Sequence, residues 1–177
     1  MDPNALHNLS YGVYIVSSCS DGKLNGQIAN TVFQVTSEPV TIAISINKQN
    51  LTHEYIKDSG IFSISILDES APLPFIGKFG FRSGKTDDKF KDTKFEISKS
   101  GCPIVLDHAM AYIEANVIEK LDCGTHTLFL GVMTDSKIVA PGKPMTYSYY
   151  HETKRGTTPP KAPTYIKGEA PNRGDAK

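Results

Sequence analysis

The segment VTIAISINKQNLTHEYIKDS at residues 40–59 gives the first indications of the fold and of a site. Its apolar, β-branched first half predicts a strand at residues 40–46, and a polar turn at residues 47–50 leads into a helix from about Thr52. The first turn of a helix has free N–H groups and a partial positive charge, which favour an anion. A capped helix with ordinary surface polar groups is the alternative interpretation of this segment alone.

The bulk composition limits the class of protein. The chain has 177 residues, enough for one domain with a substantial core. It is 39% hydrophobic and 21% charged, which is typical of a soluble globular protein. Because its 19 basic and 19 acidic residues cancel, we expect no nucleic-acid partner. The sequence has no apolar run of membrane-spanning length and no secretory signal at its start, so we expect a cytoplasmic protein without a membrane partner.

Segments on either side of residues 40–59 predict further strands and short helices. Many short strands at close spacing favour a closed antiparallel barrel over a parallel sheet. Glycine and proline mark most of the boundaries between the segments. The expected elements are strands at 11–18 and 24–33 around a turn at 20–23, a helix from about 52 to 59, a strand at 61–67, a short helix within 71–79, a hairpin of strands at 109–120 and 125–138, and a last strand at 145–150.

Two of these segments carry unusual polar or aromatic residues. The strand at residues 24–33 has amides on both faces, which indicates either an edge strand or a face turned to a polar ligand. The long loop after Phe79 mixes glycines, cations and aromatics, and loops of this length in compact domains are usually functional or disordered. It would be either a lid or wall for a planar ligand, or a loop that packs its phenylalanines on the core.

Common catalytic motifs are missing from the sequence, which has no GxSxG, P-loop, HExxH or GxGxxG motif. Its three cysteines form no CxxC pair and its five histidines form no close pair, so we expect reduced thiols and no metal site. The residues favour instead a site for a flat, anionic molecule. The turn at residues 48–53 would hold its anionic end, and the amide-rich strand and the aromatic loop would hold the rest.

The same segments resemble the flavin reductase-like family, whose fold is the FMN-binding split barrel. Within it, they are most similar to the flavoredoxin group and to the flavin domain of high-molecular-weight rubredoxins, the NAD(P)H:rubredoxin oxidoreductases. The resemblance covers roughly residues 6–165. It rests on six motifs in the family's order: GVYIVSS-x-x-DGK from residue 12, NGQIANTVFQVTSEPV from 25, ISINKQNLTHEYI from 44, SGIFSISIL from 59, FGFRSGKTDDKF from 79, and CGTHTLFLGVM from 123.

The resemblance implies a mainly β, antiparallel, Greek-key-like FMN-binding split β-barrel with short helical excursions at residues 1–151. An extended Pro/Gly-rich tail would follow at residues 152–177. The multidomain relatives have a similar linker before their rubredoxin domain, but no CxxC pair follows here, so we expect any iron–sulfur partner to be a separate protein. The tail is expected to lie on its own barrel or on a partner subunit.

The resemblance also implies FMN as the cofactor and assigns residues to it. The amide-bearing strand would face the isoalloxazine, the turn after residue 46 would hold the phosphate, and the loop would border the ring and the ribityl chain. The expected FMN-binding residues are Asn25, Gln27, Asn30 and Thr31 at the ring, Asn47, Lys48, Asn50, Thr52 and His53 at the phosphate, and Phe79, Gly80, Lys85 and Lys89 in the loop. His126 would be the catalytic residue near the flavin and the nicotinamide, although Thr125 replaces the family's usual acid beside it.

The implied activity is that of an NAD(P)H-dependent FMN oxidoreductase of the flavin reductase or flavoredoxin type. Electrons would pass from NAD(P)H through FMN to a redox protein, such as a rubredoxin or another flavoprotein, or to free flavin. The family also implies a homodimer. Two alternatives are a non-catalytic FMN- or heme-binding split barrel and a structural protein without a cofactor.

Overall fold

The computed structural model describes residues 2–165. The strands are β1 Tyr14–Ser20, β2 Lys23–Ala29, β3 Val32–Ser37, β4 Val40–Asn47, β5 Ile61–Leu67, β6 Phe95–Ile97, β7 Pro103–Val105, β8 Ala109–Cys123 and β9 His126–Ile138. The helices are α1 Leu51–Ser59, α2 Leu73–Gly80 and α3 Tyr147–Glu152, after a 3₁₀ turn at Pro3–Asn8. In this part of the chain, no helix is long and apolar enough to cross a membrane.

Seven of the strands form one antiparallel sheet in the order β2-β1-β5-β8-β9-β4-β3, and β6 and β7 form a separate pair. The two edge strands, β2 and β3, are consecutive in the chain. Asn30 and Thr31 join them, and the Thr31 carbonyl accepts a hydrogen bond from the Ser45 amide at 3.2 Å. The sheet therefore curls until its edges are joined by the chain itself. The expected mainly β, antiparallel split-barrel class is confirmed.

Strand β1 separates two hydrophobic clusters because both of its faces are covered. The adjacent residues Ile15 and Val16 are both fully buried, and alternation places them in different clusters. Helix α1 packs on the Val16 side through Ile56. Helix α2 and the residues around α3 pack on the Ile15 side, where Phe79 and Tyr150 belong to the cluster. This second cluster forms the apolar floor of the site described below.

Turn and cap residues account for several boundaries that the sequence predicts correctly. The β1–β2 hairpin turns at Asp21 and Gly22, with φ of 48° and 73°, which is the positive φ that a two-residue hairpin turn needs. Helix α1 ends at Gly60, where φ is 70° and the amide donates to the Ile56 carbonyl. Pro72 precedes α2, as expected for a helix that opens with proline nearby.

The prediction of one strand over residues 24–33 is wrong. Strand β2 ends at Ala29 and β3 begins at Val32, so the chain leaves one sheet edge and enters the other between them. The Asn30 amide donates to Thr164 Oγ1 at 2.7 Å instead of extending along a polar strand face. Alternation alone could not reveal this break, because polar and apolar residues keep alternating through it.

The prediction of a strand at residues 145–150 is also wrong. Residues Tyr147–Glu152 form helix α3, and Thr146 caps it by accepting a hydrogen bond from the Tyr149 amide at 3.1 Å. The tyrosines suggested a strand because aromatic residues have a high β propensity, but the threonine cap and tertiary packing override that preference. The buried Tyr150 then faces the Ile15 cluster.

The C-terminal segment follows α3 and lies on its own barrel as far as residue 165. Its residues form hydrogen bonds with α3, with the β2–β3 connection and with the start of β9. The division at residue 152 into a barrel and a tail stays a prediction, and the part of the expected tail at residues 166–177 lies outside the described residues.

Candidate functional site

A cavity of about 290 Å³ opens beside the edge strand β2. Four parts of the chain form its walls: β2, the turn from β4 into α1, helix α2 with the loop after it, and α3 with the C-terminal segment. The apolar part of the lining includes Val13, Ile28, Ile76 and Phe79. Polar groups come mainly from β2 and the β4–α1 turn. The result is an apolar floor with polar groups along two sides, a common design of ligand sites.

Asn25 ties three of these walls together. Its Nδ2 donates to Thr52 Oγ1 at 2.8 Å, and both side chains are buried. The amide oxygen of Asn25 lies against the backbone of Gly84, where any Cβ would overlap it. A side chain at residue 84 would therefore push the loop away from β2. This arrangement fixes the position of the Asn25 amide at the cavity wall.

Gln27 lies two residues further along β2. Its side-chain amide is not fully hydrogen-bonded. Within residues 2–165, its buried Oε1 has no hydrogen-bond partner, and its Nε2 makes only a long contact of 3.5 Å with the Ile28 carbonyl. An unsatisfied buried acceptor carries a free-energy cost of about 1–3 kcal/mol. Since Gln27 lines the cavity, a ligand with an N–H donor would satisfy it.

The N-terminus of α1 faces the same cavity through Asn50, Leu51 and Thr52. Asn50 is the N-cap residue in an extended conformation, and its side chain makes no capping hydrogen bond. A helix start without a side-chain cap leaves N–H donors for another acceptor. Such donors suit an anionic group, and the binding of an anion at this turn stays a prediction.

Three cationic residues line the cavity: Arg82, Lys89 and Lys161. Arg82 Nη1 is 3.9 Å from Asp87 Oδ1, and the Arg82 side chain is 63% exposed, so this loose pair leaves the guanidinium able to bind an anion. Lys89 is buried, and its Nζ donates to the carbonyls of Gly26 at 2.9 Å and Phe79 at 3.2 Å. Burial lowers the pKa of Lys89 from 10.5 to about 8, and Asp87 acts weakly in the opposite direction.

The structure brings most of the expected FMN-binding residues to one cavity. The residues that line it are Asn25, Gln27, Asn30, Asn47, Asn50, Thr52, Phe79, Gly80 and Lys89. They come from three separate segments, as the sequence-based hypothesis requires. Whether they bind FMN stays a prediction.

The other four expected residues are not part of the cavity lining and contact other side chains. Lys48 Nζ pairs with Asp122 Oδ1 at 2.5 Å, and Lys85 Nζ pairs with Glu54 Oε1 at 3.1 Å. His53 Nε2 lies 2.8 Å from Thr127 Oγ1, and burial followed by the charges of nearby lysines lowers its pKa. Thr31 Oγ1 donates to the side chain of Asn30 at 3.2 Å.

His126, the expected catalytic residue, sits at the start of β9 and contacts the C-terminal segment. Its Nε2 donates to the Lys161 carbonyl at 3.2 Å, and its Nδ1 lies 2.9 Å from Thr125 Oγ1. Lys161 lines the cavity, whereas His126 does not. A direct role in catalysis therefore stays a prediction.

The sequence-based hypothesis missed two groups of lining residues. Arg82 lies inside the FGFRSGKTDDKF motif, between the expected residues Gly80 and Lys85, and its charge was a signal that could have identified it. Tyr147, Tyr150 and the C-terminal segment also line the cavity. Their prolines suggested only an extended tail, because no local pattern shows where such a segment docks.

The described part of the chain contains no cluster of three or more His, Cys, Asp or Glu side chains that could hold a metal. Cys19, Cys102 and Cys123 are free thiols. Cys102 is fully buried, and burial raises its pKa to about 12, which makes it a poor nucleophile at neutral pH.

Comparison with known proteins identifies relatives across almost the whole chain. The family model "Flavin reductase like domain" matches residues 6–158. The chain is 52% identical over 168 residues to the "High molecular weight rubredoxin" of Moorella thermoacetica, covering 95% of this chain and 73% of the relative. It is 46% identical over 169 residues to the "Ferric-chelate reductase (NAD(P)H)" of Archaeoglobus fulgidus, covering 96% of this chain and 100% of the relative.

Solved structures support the same architecture. Flavoredoxin from Methanosarcina acetivorans superposes with a TM-score of 0.68 at 22% sequence identity, covering 76% of this chain and 74% of that one. At this level of identity, the likeness concerns the fold.

Proposed function

The chain belongs to the flavin reductase like domain family, and on that premise we propose that it passes electrons from NAD(P)H through bound FMN to a redox protein. The expected family and the expected class, a flavin-dependent oxidoreductase, are confirmed. FMN as the particular flavin, a rubredoxin-like acceptor, a homodimer and a cytoplasmic location remain parts of the proposal.

The unpartnered Oε1 of Gln27 is the observation that carries the assignment of the cavity to a flavin. A buried acceptor on an amide-rich strand beside an apolar floor fits a planar ring that is apolar on its faces and carries an N–H on its polar edge. The isoalloxazine of FMN has this chemistry. Asn25, held by Thr52, would add a second amide of fixed orientation along the same strand.

We place the phosphate of FMN at the first turn of α1, next to the part of β2 that carries Asn25. The first turn of α1 lacks a side-chain cap at Asn50, and Arg82 is held only by a loose ion pair. Backbone N–H donors at a helix start together with an arginine fork suit a phosphate group. We therefore assign the phosphate to Asn50, Thr52 and Arg82, and expect a smaller contribution from Lys48, whose ammonium already pairs with Asp122.

The protein would position the cofactor and set the electrostatics around it. When bound, FMN supplies the chemistry that couples a two-electron hydride donor to one-electron acceptors. Phe79 and the other apolar lining residues would exclude water from one side of the site. Lys89 would place a buried positive charge beside the site, because its Nζ is fixed by the Gly26 and Phe79 carbonyls.

Lys89 predicts a pH dependence of FMN binding. A bound anion near Lys89 raises the pKa of the ammonium above its value of about 8 in the free protein. Below that pH the lysine is charged in both states, so affinity is highest there. As pH rises through 8, only the complex keeps the proton, and the affinity for FMN should fall several-fold by about pH 9.5.

Titrating FMN into the protein across this pH range, with fluorescence as the readout, measures the effect. The variant Lys89→Met should bind FMN more weakly below pH 8 and should lose the decline above it. An equal decline in wild type and variant would show that another group titrates.

Anaerobic mixing of the FMN-loaded protein with NADH and with NADPH tests the proposed activity. Rapid loss of the visible absorption of oxidised flavin with at least one donor is the expected result. Flavin that stays oxidised with both donors would favour the non-catalytic alternative, a binding protein for FMN. A protein that binds heme and fails to bind FMN would exclude the proposed cofactor.

A second acceptor class is tested in the same assay, because the Archaeoglobus relative is named as a ferric-chelate reductase and aligns over its full length. Adding either oxidised rubredoxin or a ferric chelate to the reduced protein shows which acceptor reoxidises the flavin faster. We expect rubredoxin to be the faster acceptor, and a faster reaction with the ferric chelate would reassign the acceptor class.

A further inference from the structure

The C-terminal segment at residues 157–164, called the strap here, is the fourth wall of the cavity. Thr157 and residues 159–163 line it. Strand β2, the β4–α1 turn and α2 form three walls of the cavity, and the strap covers part of what they leave open. A ligand in the cavity would therefore lie between the barrel and the strap.

Hydrogen bonds hold the strap at both ends and in the middle. At its start, Tyr150 OH donates to the Thr157 carbonyl at 3.0 Å, and Tyr147 OH lies 2.6 Å from Thr158 Oγ1. In the middle, His126 Nε2 donates to the Lys161 carbonyl at 3.2 Å. At its end, Thr164 Oγ1 donates to Tyr147 OH at 3.1 Å and accepts from Asn30 Nδ2 at 2.7 Å. The strap thus contacts α3, β9 and the β2–β3 connection at once.

At Gly156, just before the strap, the chain passes close to the ring of Tyr150. A Cβ at this position would overlap the Cζ and Cε2 atoms of the Tyr150 ring. That ring is 5% exposed and packs in the Ile15 cluster, so it has no room to move aside. The Gly156 amide also donates to the Tyr150 carbonyl at 2.9 Å. Only glycine lets the chain pass this close to the ring and turn toward the cavity.

The composition of the strap suits a fixed cover. Pro159, Pro160 and Pro163 have restricted φ and no backbone N–H, so the segment loses less conformational entropy on docking than an ordinary loop. Prolines also prevent it from pairing as a strand with the edge strand β2.

We propose that the strap retains FMN as a bound cofactor, so that electrons leave the protein while the flavin stays. This inference rests on the proposed function and decides between its two kinds of product. A segment docked over part of the site restricts the path by which a ligand leaves, which slows dissociation. The acceptor must then collect electrons at the protein surface, and the chain acts as an electron carrier instead of a source of free reduced flavin.

The substitution Gly156→Ala in the full chain tests the strap directly. Its added methyl group should displace residues 157–164 and raise the dissociation rate of FMN at least about tenfold. The rate is measured from the change in FMN fluorescence after rapid dilution. Gly77→Ala is the matched control, because nothing lies within 4 Å of a Cβ at that helical position. We expect the control to release FMN at the wild-type rate.

Two chain-length variants separate loss of the strap from a local defect at Gly156. A chain that ends at Gly156 lacks the strap, and a chain that ends at Tyr165 keeps all the contacts described here. Fast release from the shorter chain and slow release from the longer one is the expected pair of results. Equal rates in wild type, Gly156→Ala and the chain ending at Gly156 would overturn the proposal.

Limited proteolysis of the wild-type chain provides a measurement that needs no variant. Lys161 is exposed in the strap, and Lys99 is exposed in the β6–β7 turn outside the cavity lining. Added FMN should protect the bond after Lys161 from trypsin and leave cleavage after Lys99 unchanged. Unchanged cleavage at both sites would contradict the strap proposal if FMN binds. A wild-type chain that takes up no FMN would instead disprove the proposed function.

Discussion

FMN is expected to bind about ten- to thirtyfold more weakly to an Arg82→Gln variant than to the wild type, because a charge-assisted hydrogen bond to the phosphate is lost. Arg82 lines the cavity, and its ion pair with Asp87 is long at 3.9 Å. Its guanidinium therefore loses only a weak ion pair when it binds a phosphate. Titration of the apoprotein with FMN at fixed ionic strength, followed by fluorescence, measures the change.

Lys48→Gln and Lys85→Gln are matched controls for this experiment. Each removes one positive charge, as Arg82→Gln does, but from a side chain that does not line the cavity. Each of these lysines already pairs with a carboxylate, Asp122 or Glu54, and lies outside the cavity lining. We expect both controls to stay within about threefold of the wild-type affinity. If Lys48→Gln lowers the affinity for FMN more than Arg82→Gln does, the phosphate binds at the turn containing Lys48 instead.

Thr52→Val is expected to weaken FMN binding by about tenfold or more and to destabilise the fold by about 1–3 kcal/mol. Thr52 is fully buried, and its Oγ1 accepts the hydrogen bond that orients the Asn25 amide. Valine has nearly the same shape but leaves that amide without its acceptor. The amide can then rotate or recruit water, and it no longer presents a fixed edge to the ligand. Chemical denaturation and FMN titration measure the two effects.

The matched control is Thr41→Val, a buried threonine in β4 that does not line the cavity. Its Oγ1 donates to the Pro39 carbonyl at 3.3 Å, so the control also loses one hydrogen bond. It should lower stability without changing FMN affinity. If both variants bind FMN as the wild type does, the Thr52–Asn25 pair has only a structural role.

Much of the fold could be predicted because turn, cap and alternation patterns in the local sequence set the boundaries of its strands and helices. The Asp21-Gly22 turn needs positive φ, Gly60 stops α1, and alternation marks Ile61–Leu67 as a strand. These features depend on neighbours in sequence, so one chain is sufficient to recognise them. The family's motif order then supplied the split-barrel topology, which local patterns alone do not contain.

The two wrong elements have a common physical origin in tertiary contacts. Asn30 breaks the expected strand because the chain crosses between sheet edges there, and its amide binds Thr164, more than a hundred residues away. Residues 147–152 become helical because Thr146 caps them and Tyr150 packs in the core. The Thr146 cap is a local signal that the aromatic composition outweighed. The contacts of Asn30 with Thr164 and of Tyr150 with the core, in contrast, are not visible from the local sequence.

In the candidate site too, the local sequence does not show which way a side chain points. The expected polar segments do meet at one cavity, but Lys48 and Lys85 turn to Asp122 and Glu54. Which cation faces the cavity depends on carboxylates that come from other elements. The strap was missed as a wall for a related reason, since its docking depends on Tyr147 and Tyr150 of a helix that the sequence did not predict.

An experimental structure of the FMN-loaded protein would show directly whether the cavity beside β2 is the flavin site. We predict that the isoalloxazine lies against β2 with its polar edge on Gln27, that the phosphate lies at the start of α1 beside Arg82, and that residues 157–164 cover the ligand. Flavin bound elsewhere on the barrel, with Gln27 Oε1 still unpartnered and the cavity between β2 and the strap unfilled, would contradict the account.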